Sequence, residues 1–375
     1  MIRKFDALER RRGADAVIDY DCVPTDTDVE PYPNRFAALD DLLALQQRRL
    51  PEPLAEQVQA HVTYLSALLG ERLPLGDFVK RTQGCDTAGW TADYLDYRRD
   101  IARAALAEVD VSWGARTLEE LRAVEAELSP DAVGEAIKGC AAEHERYVRD
   151  AVASETRFNL QIESVESNEY WSYWLDGSGF DARLRINAMR ASFTPTDVYR
   201  FALHEALGHA LQYASISNHA RTDDDIPWLP LLAVHSNHQV LFEGIGQILP
   251  LVFDRENKLV NTFVRLDHYR QLVRADLHLL INDGATVAEC RDMVGVRAPF
   301  MSPEVVEREL RDRSLNPRFR SYLWAYPAGL DWFMCLFEAS SDTLTKVLRA
   351  AYRTPLTPSE LQSLWPDGPA IGGNR

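Results

Sequence analysis

The spacing of hydrophobic residues predicts helices along most of the chain. Apolar side chains recur at helical intervals from Phe36 to Leu45, from Leu54 to Leu69 and from Tyr94 to Val109. Ser-Pro or Thr-Pro pairs, which suit the first turn of a helix, stand at positions 129–130, 194–195, 302–303 and 357–358. Further helices are predicted over residues 236–252, 257–282, 302–313, 316–339 and 341–352. The predicted fold class is therefore mainly α.

One stretch departs from the helical pattern and predicts a small antiparallel β-sheet. Apolar and polar residues alternate from Phe158 to Val165 and again from Arg183 to Asn187. Between these runs, the aromatic segment Tyr170 to Leu175 is followed by the turn sequence Asp176 to Gly179. Such a sheet can offer an exposed edge to an extended ligand. A hairpin that only covers the core is an equal alternative.

The segment Phe201 to Tyr213 follows this sheet and carries the residues most indicative of chemistry. It reads as a buried helix, yet it contains the sequence His204-Glu205-Ala-Leu-Gly-His209. Burying titratable groups without a partner is costly. A divalent metal would supply that partner. The alternative is a pair of core histidines that are satisfied by ordinary hydrogen bonds.

The spacing of the two histidines makes a further structural prediction. His204 and His209 are five residues apart, which is roughly 140° around an ideal helix and too far for one tetrahedral ion. One extra residue accommodated as a π-bulge would return both to one face, and such bulges favour functional sites. Gly208 is a permissive position for it. We therefore predict a metal-binding helix with a local π-bulge.

The best candidate for a third ligand is Glu243, a single acid in the apolar run Val240 to Gln247. Gly244 and Gly246 follow it, and each costs a helix about 1 kcal/mol relative to alanine. Close approach to the metal helix would offset that cost. The alternatives are a buried Glu243 paired with an arginine, or later ligands at Asp254 or Glu256.

These residues suggest catalytic roles. A zinc ion held by His204, His209 and Glu243 would lower the pKa of water to about 7, and Glu205 would act as the general base. Arg320, Tyr322 and Tyr326 are candidate donors to an oxyanion. The alternative is an aromatic stripe at helical spacing that packs in the core. For His235 and His238, a donor role competes with an ordinary core or surface position.

Composition narrows the functional classes. The net charge of −16 disfavours a nucleic-acid partner. Five scattered cysteines without a CxxC pair indicate free thiols in a reducing compartment. No apolar run reaches the ~18 residues that span a bilayer, and residues 1–20 lack the apolar core of a signal peptide. We expect a soluble cytoplasmic protein acting on a small molecule or short peptide, without membrane or nucleic-acid partners; its oligomeric state is open.

The same patterns divide the chain into three parts. Residues 1–33 are polar, with three arginines in a row and three prolines, and are predicted to form an extended N-terminal arm. Residues 34–157 are predicted to form a helical N-terminal subdomain. Residues 158–375 are predicted to form the metal-site subdomain, which contains the small sheet and makes one compact unit with residues 34–157.

The candidate metal residues resemble the gluzincin metallopeptidases, which bind zinc through two histidines on one helix and a glutamate on a later one. The sequence HEALGH is similar to the HELLGH form of dipeptidyl peptidase III, which also has one residue more than HExxH. The wider layout resembles a bacterial metallopeptidase-like family with HExxPGHxLQ and EGWA motifs. The corresponding segments here are His204 to Gln212 and Phe242 to Gly246.

That family also carries an upstream asparagine similar to Asn187 and a C-terminal block similar to Tyr322 to Gly329. The likeness extends over about residues 60–340. This chain departs from the family by lacking the proline of the PGH motif, by having Ile245 in place of tryptophan, and by having Phe333 in place of a tyrosine. The resemblance implies a helical zinc hydrolase.

The leading interpretation is thus a gluzincin-like zinc hydrolase that cleaves an amide or peptide bond in a small or pathway-specific amino-acid-derived substrate. Two alternatives remain. Two histidines and one carboxylate also bind Fe(II) in non-haem oxygenases, which carry out oxidative chemistry. The chain could also be a non-catalytic binding protein that a metal stabilises.

Overall fold

Helices dominate the chain, as the hydrophobic periodicity predicts. The computed structural model describes residues 1–26, 28–167, 172–222 and 231–373. The α-helices are α1 (Ile2–Arg11), α2 (Arg35–Gln46), α3 (Glu52–Leu68), α4 (Leu75–Gln83), α5 (Ala92–Ala107), α6 (Thr117–Arg122), α7 (Pro130–Val152), α8 (Pro195–Phe201), α9 (Leu211–Thr222), α10 (Gln239–Phe253), α11 (Lys258–Asn282), α12 (Val287–Arg297), α13 (Pro303–Ser314), α14 (Pro317–Tyr322), α15 (Ala325–Ala339), α16 (Ser341–Ala351) and α17 (Pro358–Leu364). A π-helix, Ala202–Ala210, joins α8 to α9. The mainly α prediction is confirmed.

The Ser/Thr-Pro pairs do begin helices α7, α8, α13 and α17. At α8, the Thr194 hydroxyl accepts from the Asp197 backbone N–H, and the Asp197 carboxylate accepts from the Thr194 backbone N–H. Thr357 and Glu360 form the same reciprocal pair at α17. These bonds satisfy backbone N–H groups that a helix leaves without partners at its start. The cap at Thr194 fixes where the helix leading into the candidate metal site begins.

The predicted small sheet is present, but it is mixed rather than antiparallel. Its strands are β1 (Tyr20–Asp21), β2 (Asn159–Val165), β3 (Tyr173–Ser178), β4 (Asp181–Asn187) and β5 (Leu231–Leu232), in the order β2-β4-β3-β1-β5. β3 and β4 form the predicted antiparallel hairpin, whereas β2 pairs in parallel with β4. The chain reverses direction between β2 and β3 and again between β3 and β4, so β2 and β4 run in the same direction. Because β4 lies between β2 and β3 in the sheet, it pairs with β2 in parallel.

The prediction of an extended N-terminal arm is wrong. Residues 2–11 form the helix α1, which buries Phe5 and Leu8 against Leu42 and Leu65 of the neighbouring helices. The chain then contributes β1 to the sheet. Although α1 contains many charged residues, its apolar side chains lie on one face, and that face packs against the neighbouring helices. The N-terminal residues are therefore part of the folded body.

The π-helix lies at the centre of the main hydrophobic core. It packs between α7, α8, α9 and α10, and α10 packs in turn along α15. Leu203, Ala206 and Leu207 are fully buried. The Tyr352 hydroxyl donates to the Leu207 carbonyl oxygen at 2.6 Å. The histidines of this helix thus sit on a scaffold that is supported from several directions.

Three sequence predictions fall partly outside the described residues. The sequence from 218 to 225 is polar and acidic and predicts a loop, but residues 218–222 form the end of α9, and residues 223–225 are not described. The apolar segment predicted from 226 to 234 is described only from residue 231, and residues 168–171 of the predicted sheet region are not described. Within the described ranges, no helix is both long enough and apolar enough to cross a membrane.

Candidate metal centre

The predicted π-helical distortion between His204 and His209 is confirmed. Residues 202–210 are wound as a π-helix, and the Leu211 backbone N–H donates to the Ala206 carbonyl five residues earlier. This wider winding brings His204 and His209 to the same side. Their ring centroids are 4.7 Å apart and the two planes are almost perpendicular, at 89°. A spacing that an α-helix would separate therefore converges on one point.

The glycines around this helix allow it to approach α10 closely. A Cβ atom at Gly208 would lie 2.8 Å from the Leu203 carbonyl oxygen, and one at Gly246 would lie 2.9 Å from ring atoms of His204. Gly246 therefore has the role that the sequence predicts. Gly244 does not, since a Cβ there would meet the Phe333 ring and would lie 2.9 Å from backbone atoms of Gly329, and both of these residues are in α15. Gly246 leaves room for the His204 ring, and Gly244 allows α10 to pack closely against α15.

The possible ligand atoms lie close together where the π-helix packs against α10. Ligand atoms of His204, Glu205 and His209 all lie within 4.8 Å of one another. His204 Nε2 is 3.7 Å from Glu205 Oε1 and also 3.7 Å from Glu243 Oε2. Neighbouring ligands of a tetrahedral zinc are roughly 3.4 Å apart, given bonds of about 2.1 Å. Both carboxylates are thus near enough to His204 to share an ion with it.

The Glu243 carboxylate is buried and has a hydrogen-bond partner on only one of its oxygens. Glu243 is 4% exposed, and the Tyr322 hydroxyl donates to its Oε1. Its Oε2 is buried without a hydrogen-bond partner, and so is Nδ1 of His209. Unpartnered buried polar atoms are rare because each costs free energy. A cation beside His204 would satisfy Glu243 Oε2, whereas the group whose ligand atoms all lie within 4.8 Å of one another contains Glu205 and not Glu243. The residues present therefore fit a metal ion, with a glutamate beside the two histidines.

Burial shifts the pKa values of all four side chains in this cluster. Burial raises the pKa of Glu205 to about 8, and the neighbouring Glu243 adds to the rise. Burial raises the pKa of Glu243 to about 7, although hydrogen bonds from Tyr322 and Tyr326 oppose the change. Burial lowers the pKa of His204 to about 4 and that of His209 well below its usual range. Both imidazoles are therefore neutral, which is the form that binds metal.

A cleft of about 190 Å³ opens beside this cluster. His204, Glu205, His209 and Glu243 line it together with Tyr173, Trp174, Leu175 and Tyr213 and with Gln239, Phe319, Tyr322 and Tyr326. The Tyr213 ring stacks on that of His209, with an angle of 7° between the planes. This stacking fixes the orientation of the imidazole. Tyr213 was missed by the sequence analysis, although it stands four residues after His209 on the same helical run.

Two charged residues that line the cleft had no local sequence signal. Asp19 comes from the N-terminal segment and Arg318 from α14, and the Arg318 guanidinium donates to Asp19 Oδ1 at 3.0 Å. Arg318 is 3% exposed and lies over the Trp174 ring. Burial raises the pKa of Asp19 to about 6 despite the arginine. The pair is separated by 299 residues in the chain.

Of the three predicted oxyanion donors, two reach the site and one does not. The Tyr322 hydroxyl is 2.7 Å from the Tyr326 hydroxyl, and both line the cleft. Arg320 instead donates to the side chain of Asn282 and to the Leu73 carbonyl. It stands two residues before Tyr322, so the helix turns it roughly 200° away. Its assignment to the site is wrong for that reason.

The remaining candidates lie outside the residues that line the cleft. His235 Nε2 is 2.8 Å from Nδ1 of His61, and its ring stacks on Tyr64 at 3.9 Å in a buried cluster. His238 is also buried, at 1% exposure. The Asn187 side chain accepts from the Ser167 backbone N–H and donates to its carbonyl, which ties down the end of β4. The ordinary core interpretation fits these positions.

Comparison with known proteins identifies a similar fold. No family model and no curated protein matches the chain. The crystal structure of a protein from Colwellia psychrerythraea, described as a "putative lipoprotein", is similar with a TM-score of 0.56 and 14% sequence identity. The match covers 72% of this chain and 50% of that one, so this chain spans about half the length of the matched protein. At this identity, the likeness concerns the fold alone.

Proposed function

We propose that the protein is a zinc-dependent hydrolase that cleaves an amide or peptide bond in a small, amino-acid-derived substrate. The observation that carries this proposal is the π-helix. It gathers His204, Glu205 and His209 beside Glu243 at the wall of a cleft. The resemblance to the gluzincins becomes part of the proposal, since that group uses two histidines and a later glutamate in the same way.

Three residues would hold the ion: His204, His209 and Glu243. When bound, zinc would supply Lewis acidity, which polarises a carbonyl and lowers the pKa of water to about 7. The Tyr322 hydroxyl holds Oε1 of Glu243 and leaves Oε2 for this role. Burial and the Glu243 charge raise the pKa of Tyr322, so this hydroxyl remains a donor.

Glu205 would act as the general base. It is adjacent in sequence to His204 and its carboxylate lies 3.7 Å from His204 Nε2, so it borders the ligand cluster. It would take a proton from the attacking water and deliver it to the leaving nitrogen. A carboxyl group whose pKa burial raises towards neutrality can both accept and return a proton near pH 7.

Tyr326 is the best remaining candidate to stabilise the oxyanion. Its hydroxyl lines the cleft and contacts that of Tyr322, which is already committed to Glu243. From this position, the Tyr326 hydroxyl could donate to a substrate carbonyl in the cleft. Donors of this kind contribute substantially to acyl-transfer catalysis.

The dimensions of the cleft and the edge of the sheet support a short substrate. A cleft volume of about 190 Å³ suits a small ligand rather than a folded polypeptide. β3 pairs with β1 only at Gly177 and Ser178, while Tyr173 to Leu175 of the same strand line the cleft. An extended amide-containing ligand could hydrogen-bond to this length of β3.

The decisive experiment compares substitutions at the base and at the ligands. Glu205→Gln should retain zinc, measured by elemental analysis, and lose about 10²–10⁴-fold in turnover of a dipeptide and N-acyl amino-acid library. His204→Ala and His209→Ala should lose the metal itself. Equal turnover by Glu205→Gln and the unaltered protein would remove Glu205 from the mechanism.

Metal identity tests the two alternatives. Protein purified without added metal should contain zinc and show no oxygen consumption. Iron together with oxygen uptake would favour the oxidative chemistry of a two-histidine, one-carboxylate site. A fourth coordination position occupied by protein, seen by X-ray absorption on the loaded protein, would favour a purely structural metal.

A reducing compartment, the cytoplasm, is part of the proposal. All five cysteines are free: Cys22, Cys85, Cys140, Cys290 and Cys335. Burial raises the pKa of Cys22 and Cys85 to about 12, which keeps both as unreactive thiols. Fractionation of the producing cells would test this location.

A further inference from the structure

A second pocket adjoins the metal centre. Tyr173, His204 and Glu205 line both this pocket and the cleft, so the two cavities meet at the proposed reaction point. The second pocket has a volume of about 360 Å³. Nothing in the proposed mechanism uses it. A substrate whose amide lies at Glu205 would extend into it on one side.

The pocket is rich in arginine. Arg122, Arg190, Arg200 and Arg270 line it, against two acidic residues, Asp197 and Asp267, apart from Glu205. Four cations and two anions leave an excess of positive charge, in a chain whose net charge is −16. Positive charge in a concave site next to a catalytic centre attracts and orients anions.

The helical geometry directs one of these arginines towards the reaction point. Arg200 stands near the end of α8, four residues before His204 on the continuous run from α8 into the π-helix. Residues four apart lie on the same helix face. Arg200 and His204 both line the second pocket, which agrees with this proximity.

Asp267 on α11 holds two of the guanidinium groups in position. Its Oδ2 accepts a hydrogen bond from Arg200 Nη2, and its Oδ1 is 2.5 Å from Arg270 Nη2. Burial opposes its charge, but Arg270 and Arg200 lower its pKa, so it remains ionised. Nε of Arg270 is buried without a hydrogen-bond partner. Arg200 and Arg270 are thus held in position before a ligand binds, which reduces the entropic cost of binding.

We propose that this arginine pocket, lined by Arg122, Arg190, Arg200 and Arg270, binds a carboxylate of the substrate next to the bond that is cleaved. The inference rests on the proposed hydrolase function and narrows its substrates to acidic amides. Guanidinium groups match the planar geometry of carboxylates. The carboxylate could be the free C-terminus of a peptide or an acidic side chain.

Paired substrates test the proposal on the zinc-loaded, full-length protein. The first pair is a dipeptide with a free C-terminus and its C-terminal carboxamide. The second is a dipeptide amide that ends in glutamate and the same compound ending in glutamine. In at least one pair, the charged member should have a kcat/KM about tenfold or more above that of the neutral member, as a charge-assisted contact implies. The pair that discriminates identifies the carboxylate.

Substitutions then link the preference to the pocket. Arg270→Gln leaves Asp267 paired with Arg200, so the fold should persist. Arg122→Gln changes a side chain that is 45% exposed. Each should reduce the charged-to-neutral ratio towards one. Arg146→Gln, on an 89% exposed side chain of α7, is the matched control and should leave the ratio unchanged.

A binding measurement separates this inference from the proposed function. Glutarate and its uncharged diamide are titrated calorimetrically into the metal-free protein and its Arg270→Gln variant. Glutarate should bind the unaltered protein more tightly than the variant, and the diamide should show no such difference. Absence of hydrolysis with glutarate binding intact would overturn the hydrolase and retain the anion pocket. Hydrolysis without preference for charged substrates would overturn the pocket and retain the hydrolase.

Discussion

The carboxylates of Asp331 and Glu243 are both buried, at 1% and 4% exposure, but their surroundings differ. Around Asp331, every oxygen has a protein donor. Oδ2 accepts from Trp90 Nε1 at 2.8 Å, while Oδ1 accepts from the Tyr94 hydroxyl at 2.5 Å and lies 2.9 Å from His268 Nε2. This cluster ties α5, α11 and α15 together.

At Glu243 the protein supplies a donor to only one oxygen. Tyr322 donates to Oε1, whereas Oε2 has neighbouring imidazole and carboxylate groups but no hydrogen-bond partner. A satisfied network contributes to stability, whereas an unsatisfied one imposes a cost that a bound ligand can offset. The comparison teaches that burial alone does not separate a structural carboxylate from a candidate ligand. An incomplete set of donors next to a neutral imidazole favours the candidate ligand.

The sharpest test exchanges each carboxylate for its amide in the metal-free protein at pH 8. Asp331→Asn replaces one acceptor oxygen with an NH2 group, which then faces a protein donor. The substitution should lower the free energy of unfolding by about 1–3 kcal/mol for each donor left without an acceptor. Glu243→Gln leaves no donor unsatisfied and should cost less than about 1 kcal/mol. Urea denaturation measures both. Equal losses at the two sites would remove the distinction between the clusters.

A second test removes one hydroxyl from each cluster. Tyr322→Phe frees Oε1 of Glu243 and should weaken zinc binding by about 10–100-fold, because groups that orient a ligand tune metal affinity. Tyr94→Phe is the matched change in the Asp331 network and should lower stability without altering zinc affinity. Competition with a chelating dye measures affinity. Loss of zinc affinity in Tyr94→Phe alone would reverse the assignment of the two clusters.

The smallest expected effect concerns the space around His204. Gly246→Ala adds a Cβ that would lie 2.9 Å from the imidazole ring, and we expect about a tenfold loss of zinc affinity as the ring is displaced. Gly295→Ala in α12 meets open space and should stabilise the helix by about 0.5–1 kcal/mol without changing the metal site. A Gly246→Ala protein with unchanged affinity would show that His204 can move freely.

The parts of the site that could be predicted are those with local causes. The five-residue separation of His204 and His209 requires a wider helix turn if one ion is bound, and the π-helix is present. Glu243 was identifiable as the single acid in an apolar run. Arg320 was wrongly grouped with Tyr322, because the two residues are close in sequence but point to different sides of the helix. The error shows that direction around a helix matters more than proximity in sequence.

The parts that could not be predicted depend on distant segments. The contact of Asp19 with Arg318 joins residues 299 positions apart. The position of β4 between β2 and β3 is decided by how the sheet packs on the core, which alternation alone does not encode. The arginine pocket likewise combines four separate stretches of chain. In each case, tertiary packing brings together residues whose local patterns are ordinary.

The π-helix has a consequence for how this motif tolerates changes in length. Between the two imidazoles, the chain has one residue more than a spacing of four, and the wider winding absorbs it. Deleting Leu207 would shorten the motif to HExxH and allow ordinary α-helical winding. Because the bulge vanishes with the extra residue, α8 and α9 would keep their faces towards the same neighbours. A one-codon deletion could therefore interconvert two motif lengths that are usually treated as separate signatures.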